Sequence, residues 1–218
     1  MDEDLGALQR EHWQDTYRRH PVMYGSEPSR AARYAAEVFA ERSAGTVLEL
    51  GAGHGRDALW LAGRDLRVHA LDFSATALDR LERDAAERGL ADRVTARVHD
   101  AREELPLSDA SVDGVFAHML LCMALSTDRI RALAGEVRRV LRPGGSFVYT
   151  VRHTGDAHHG TGVPHGDGIF EHGGFAVHFF DRALVEELAL GWRLEEVHPF
   201  EEGDLPRRLW RVTMVRPA

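Results

Sequence analysis

VLELGAGHGRDALWLA, residues Val47 to Ala62, decides the fold. Val47, Leu48 and Leu50 flank Glu49 as a short strand would and lead into Gly51, Gly53 and Gly55. The apolar spacing then turns helical through Ala58, Leu59, Leu61 and Ala62, so the stretch reads as strand, tight turn, helix. Glycines suit a backbone that must turn sharply and touch a ligand, and the helix N-terminus that follows offers unpaired amides. A nucleoside-bearing cofactor is the natural occupant. Asp72 ends the next apolar run (Val68, Ala70, Leu71), where a carboxylate can accept both hydroxyls of a ribose. A tight βα connection without a ligand would produce the same motif, so the surrounding segments have to decide.

A nicotinamide fingerprint needs G-x-G-x-x-G, but the residue three after Gly53 is Arg56, an extra glycine stands at Gly55, and an acid, Glu49, precedes the turn. This E-x-G-x-G-x-G pattern resembles motif I of the class I S-adenosylmethionine-dependent methyltransferases. Further segments follow in that family's order. Val94 to Val98 reads as a third strand ending at His99, Asp100 and Ala101, and Ser111 to Phe116 as a fourth running into AHMLLCM. Ile130 to Leu141 reads as an amphipathic helix, stopped by LRPGG (Leu141 to Gly145) ahead of a strand from Phe147 to Val151.

The resemblance implies an α/β fold: a Rossmann-like three-layer sandwich around a seven-stranded, mostly parallel sheet whose last strand is antiparallel. It implies S-adenosyl-L-methionine as cofactor and S-adenosyl-L-homocysteine as product. Gly51, Gly53 and Gly55 would give close backbone approach, Glu49 would face the methionine amine, Asp72 the ribose, Asp100 with Ala101 the adenine edge, and Phe73 the adenine face. One domain over residues 1–218 is expected: a helical cap (1–45), a cofactor-binding core (46–151), a substrate-side loop (152–180) and a C-terminal helix with strands (181–218).

In the cap, helices are expected over Leu5 to Arg19 and Pro28 to Arg42, joined by HPVMYGSEP, with proline tolerated in the first turn of the second. Trp13, Tyr17 and Tyr24 are either pocket walls or plain core. Tyr24, in a turn beside Gly25, is the first choice for the cofactor and pocket side. Ser74 is expected to cap the helix that follows Asp72, with Leu78 and Leu81 turned inward. The segment Val151 to Asp181 is rich in glycine and histidine, has little periodicity before Phe175 and is long for a connection, which marks it as functional. Its Gly-Gly turn leading to HFF and a helix is similar to the small single-domain branch that includes the tellurite-resistance and thiopurine S-methyltransferase types.

Composition narrows the chemistry. A net charge of −8 opposes a phosphate backbone, so the expected partner is a small-molecule methyl acceptor and not a nucleic acid. The acidic start, MDEDLGALQR, and the lack of a long apolar run oppose a signal peptide and a membrane span, leaving the cytoplasm as the expected location. Cys122 is the single cysteine, which excludes an internal disulfide and a thiolate zinc cluster. The chain has no lysine and no asparagine, so a Schiff base, a Walker-type loop and an Asn-Pro-Pro-Tyr motif are all excluded.

Methyl transfer from a sulfonium needs alignment and exclusion of water more than a nucleophile or a metal, and a base only where the acceptor carries a proton. His118, just past the fourth strand, is a candidate beside the reacting atoms or a structural histidine. In the loop, His153, His158, His159, His165, His172 and His178 could bind a metal or be solvated, or one or two could line the acceptor pocket. His153 and His178 are the nearest to strand end and helix start, and Glu171 is a further possibility. No metal is expected, because the spacings match no helical pair and no zinc pattern. A non-catalytic cofactor-binding partner of the same fold, or an oxidoreductase on a related sheet, are the other readings.

Overall fold

Strands and helices alternate along the chain in a computed structural model that describes residues 2–20, 23–203 and 207–218, with side chains from Leu5 onward. In order they are α1 (Asp2–Arg19), α2 (Arg30–Glu41), β1 (Thr46–Leu50), α3 (Arg56–Ala62), β2 (Arg67–Asp72), α4 (Ala75–Glu87), β3 (Val94–Val98) and β4 (Val112–His118). There follow α5 (Thr127–Val140), β5 (Leu141–Arg152), β6 (Val163–Gly166), β7 (Ile169–His172), β8 (Phe175–His178), α6 (Arg182–Leu188), β9 (Arg193–Glu202) and β10 (Arg207–Val215).

Seven strands form one sheet in the order β3-β2-β1-β4-β5-β10-β9, with β10 antiparallel to both neighbours. Successive strand residues face opposite sides, so each central strand feeds two cores. Val47 and Phe116 join Phe39, Leu61 and Leu81 on the side of α2, α3 and α4. Leu48 and Val115 join Ile130, Val137, Phe147 and Tyr149 on the side of α5. Each such side chain contributes about 1.5–3 kcal/mol on full burial. The strand order reverses between β1 and β4, which leaves a crevice at their carboxyl ends where ligands of open α/β sheets bind.

Four helices start on side-chain caps: Ser29, Ser74, Ser126 and Asp181 each accept a backbone N–H three residues on. Ser29 takes the cap of α2, so Pro28 lies before that helix and not in its first turn. Residues 21–22 of the HPVMYGSEP connection lie outside the described residues. The LRPGG stretch does not interrupt the chain between helix and strand, because β5 already begins at Leu141 and takes in the bend at Gly144 (φ 82°).

The 152–180 segment departs most from expectation: it contains a second, three-stranded antiparallel sheet, β6-β7-β8. Its two hairpins turn on Asp167-Gly168 (φ 50° and 72°) and Gly173-Gly174 (φ 59° and 86°), a left-handed pair in each case, as a two-residue turn matched to strand twist requires. Helix α1 docks on this sheet through Gln9, which donates to Gly174 O (2.7 Å) and accepts from Ala176 N (3.1 Å). Among the described residues no helix is long and apolar enough to cross a membrane.

Candidate active site

The carboxyl ends of β1, β2, β4 and β5 open into one cavity of about 730 Å³, roofed by α1 and β8. Its first half is built by the glycine turn. Gly51 and Gly53 have φ of 72° and 53°, a region costly for other residues. A Cβ on Gly53 would come within 2.8 Å of the Tyr17 hydroxyl, and one on Gly51 within 3.1 Å of Leu120. Gly55 (φ 82°) serves packing as well, since a Cβ there would strike Leu81 Cδ1 at 2.1 Å. The turn carries no side chain of its own toward the cavity, and Tyr17 and Leu120 are the groups that lie over it there.

Two acids meet this turn. Asp72 is buried and accepts from Gly53 N and Ser74 N, one at each oxygen and each at 2.8 Å. A carboxylate has about four lone-pair positions, so each oxygen keeps one for a ligand hydroxyl. Burial lifts its pKa to about 6, against the pull of those two N–H groups. Glu49 is buried too, and its Oε2 has no hydrogen-bond partner. Burial, then repulsion from Asp57 and Asp72, pushes it well above the usual carboxylate range, with Arg56 opposing. An unpartnered buried carboxylate calls for a cation. Arg56, which donates to Tyr24 O (3.0 Å), is the guanidinium at this end, and Phe73 adds an aromatic face. A cation-accepting acid, a guanidinium, a hydroxyl-accepting acid and an aromatic around one bare turn fit an amino-acid nucleoside such as S-adenosylmethionine.

The second half combines a charged and an apolar wall. His118 Nδ1 lies 2.8 Å from Thr150 Oγ1 and its Nε2 lies 3.3 Å from Glu202 Oε2. Glu202 is held below its ordinary value: burial acts upward, but the hydrogen bond and charge of His118, together with Arg56 and Arg207, outweigh it. Glu202 thus faces the Nε2 edge of His118, while the Thr150 hydroxyl, which also accepts from Met119 N (2.9 Å), faces Nδ1. Arg152 and Asp156, both buried, pair through Nε and Oδ2 at 3.1 Å. Arg152 Nη2 also donates to His158 Nδ1 (3.1 Å), and the His158 ring stacks on His172 at 4.4 Å. Met119, Leu120, Met123 and Val177 form the apolar wall, with Met119 held at φ 57°.

Of the residues singled out from sequence, Glu49, Gly51, Gly53, Gly55, Asp72, Phe73, Tyr24, His118, His158 and His172 meet in this cavity. Trp13 and Tyr17 line it as well. Five others stand elsewhere. Strand alternation turns Arg152 into the cavity and His153 away from it, onto Trp210 (ring centroids 4.6 Å apart). Val177 likewise faces in, and His178 is buried behind it with Nδ1 donating to Leu125 O (2.8 Å). Neither histidine lines the cavity. Asp100 is taken by Arg10 and Arg102, which overcome its burial and hold it at about 2; it lines a separate cavity of about 590 Å³, and Ala101 lines neither. Glu171 pairs with His165 (2.8 Å) on the small sheet. Among the described residues no group of three or more His, Cys, Asp or Glu is arranged to hold a metal ion.

Sequence reasoning missed Arg56, Arg152, Asp156, Glu202 and Arg207. Arg56 carried a signal, standing directly after the last glycine at the first turn of α3. Glu202 and Arg207 carried none, since they meet only through the β9–β10 pairing.

Residues 47–145 match the family model described as methyltransferase domain. Dimethylglycine N-methyltransferase from Parasynechococcus marenigrum (strain WH8102) is 44% identical over 108 residues, 49% of this chain and 37% of that protein, so the similarity spans well under half of the relative. Among solved structures, 1,6-didemethyltoxoflavin-N1-methyltransferase from Burkholderia thailandensis, with 1,6-didemethyltoxoflavin and S-adenosylhomocysteine bound, superposes with a TM-score of 0.78. It is 19% identical and covers 100% of this chain and 91% of that chain. The CcbJ methyltransferase from Streptomyces caelestis gives 0.71 at 24% identity, covering 94% and 96%. These two likenesses are ones of fold. The glycine motif, the sheet order and the matched segment agree on a methyltransferase domain over residues 47–145.

Proposed function

We propose that this chain is an enzyme that transfers the methyl group of S-adenosyl-L-methionine to a small molecule. One observation carries the reading: two buried acids, Glu49 with an unpartnered oxygen and Asp72 with a free lone pair on each oxygen, flank a turn of bare glycines in the same cavity as a second, differently built half. When bound, the cofactor supplies an electrophilic methyl on a sulfonium whose departure leaves a neutral thioether. Glu49 would hold the ammonium, Arg56 the carboxylate, Asp72 the ribose hydroxyls and Phe73 the base. Tyr17 and Trp13 on α1 exclude water from above. His118 holds Glu202 through its Nε2 edge, so Glu202 is the group that meets a proton or a developing positive charge on the acceptor, and His118 is its positioning residue. His153 and His178 have no part in this chemistry.

Cofactor and methyl acceptor would share one cavity of about 730 Å³, which leaves room for an acceptor of small-molecule size. The relative above is named for a small amino acid, and the structural neighbour was solved with a small heterocycle. A net charge of −8 opposes nucleic-acid substrates, and on this reading the chain works in the cytoplasm as one domain, with α1, α2 and the 152–180 segment as its covering parts.

The test is calorimetric titration with S-adenosylmethionine and with NAD, followed by a coupled assay for S-adenosylhomocysteine over a panel of thiols, amines and phenols. Binding of the first alone, with turnover of one class, is the expected result. Binding of NAD in its place defeats the reading, and cofactor binding without turnover on any class favours a non-catalytic partner.

A further inference from the structure

The acceptor half of the cavity holds more positive charge than its own carboxylates neutralise: Arg152, Arg207 and Arg208 line it against Asp156 and Glu202. Arg152 is committed to Asp156, and Arg208 donates to Gly155 O (2.8 Å) and to Glu201 (3.4 Å). Arg207 is different. It sits half-buried opposite Glu202 in the β9–β10 pairing, yet its guanidinium makes no hydrogen bond or ion pair with any described residue. Its charge nevertheless reaches the Tyr24 hydroxyl, His158 and Glu202. A half-buried guanidinium with five donors and no partner among the described residues presents a fork suited to an oxyanion.

We propose that the methyl acceptor is an anion, with a carboxylate or comparable oxyanion paired to Arg207 and an apolar body against Met119, Met123 and Val177. Glu202, fixed by His118, repels a second carboxylate, so the anionic end is confined to Arg207 and the nucleophilic end turns toward the cofactor. The inference rests on the reading that the Glu49–Asp72 half holds S-adenosylmethionine.

The test uses the full chain saturated with S-adenosylhomocysteine, titrated with benzoate and with its neutral isostere benzamide. Benzoate should bind about tenfold more tightly than benzamide, the margin of one charge-assisted contact. Arg207→Gln should erase that preference and Arg207→Lys should keep part of it, with affinity for S-adenosylhomocysteine and melting temperature unchanged in both. Equal binding of the two probes, no binding of benzoate at millimolar concentration, or a preference that survives Arg207→Gln overturns the inference while leaving the cofactor reading intact. Failure of S-adenosylhomocysteine itself to bind overturns the cofactor reading first, and this inference with it.

Discussion

Asp72 is the residue on which a single exchange says most. Its carboxylate is buried, its two oxygens are anchored by Gly53 N and Ser74 N, and burial has lifted its pKa from 3.8 to about 6. Ionising it in the ligand-free fold therefore costs about 3 kcal/mol. The sign follows from linkage: the folded pKa lies above the unfolded one, so the stability tied to this group is full below 3.8 and is lost as pH rises through about 6. Ribose hydroxyls donate only to lone pairs, and ionised oxygen accepts best. Cofactor affinity should consequently run the opposite way, falling by up to about tenfold per pH unit below about 6 through this group. Asp72→Asn keeps the shape but turns an NH₂ toward one of the two backbone N–H groups. The loss of one hydrogen bond to a charged acceptor, about 1.5–3 kcal/mol, corresponds to about ten- to a hundredfold weaker binding at neutral pH. Titration calorimetry with S-adenosylmethionine across about pH 5 to 8 measures both, and the variant's curve should lack one proton's worth of slope. Wild-type affinity in Asp72→Asn, or a wild-type curve that strengthens as pH falls, would refute the reasoning.

Glu49→Gln removes a buried charge that has no partner for its Oε2. Because burial raises the Glu49 pKa, the variant should melt higher than wild type above neutral pH while binding the cofactor at least about tenfold more weakly, as scanning calorimetry and titration would register. Gly55→Ala forces a Cβ at φ 82° to within 2.1 Å of Leu81 Cδ1 and should cost at least about 2 kcal/mol in denaturant unfolding. Asp156→Ala strands the buried Arg152 guanidinium and should cost about 3–5 kcal/mol, whereas changing both residues to apolar ones of similar volume should cost much less. Glu202→Gln should lower kcat on an amine or thiol acceptor more than it raises KM for the cofactor, which steady-state kinetics would separate.

The cofactor half of the site was legible because its chemistry is local. Glu49, the glycines, Asp72 and Phe73 all lie within a strand end and the turn after it, so sequence spacing and spatial spacing coincide. The acceptor half depends on pairing register, which sequence leaves open. A one-residue change in strand parity separates Arg152 from His153 and Val177 from His178, and in each pair the histidine faces away from the cavity. Glu202 and Arg207 become neighbours only when β9 and β10 pair. The small sheet was hidden for a related reason: its strands are four residues long, too short to display alternation, although Asp167-Gly168 and Gly173-Gly174 are hairpin signals in themselves. Asp100 sits at the β3 end where the adenine edge was expected, but nothing in its own segment announces that Arg10 on α1 would take it.

The central claim is that the turn after β1 cradles the cofactor, with Glu49 and Asp72 gripping its two ends. A crystal structure of the protein grown with S-adenosylhomocysteine tests it most directly. The account predicts density along Gly51 to Gly55, with the ammonium on Glu49 and both ribose hydroxyls on Asp72. The same compound bound elsewhere, or Tyr17 and Leu120 filling the crevice while saturating ligand stays in solution, would contradict it.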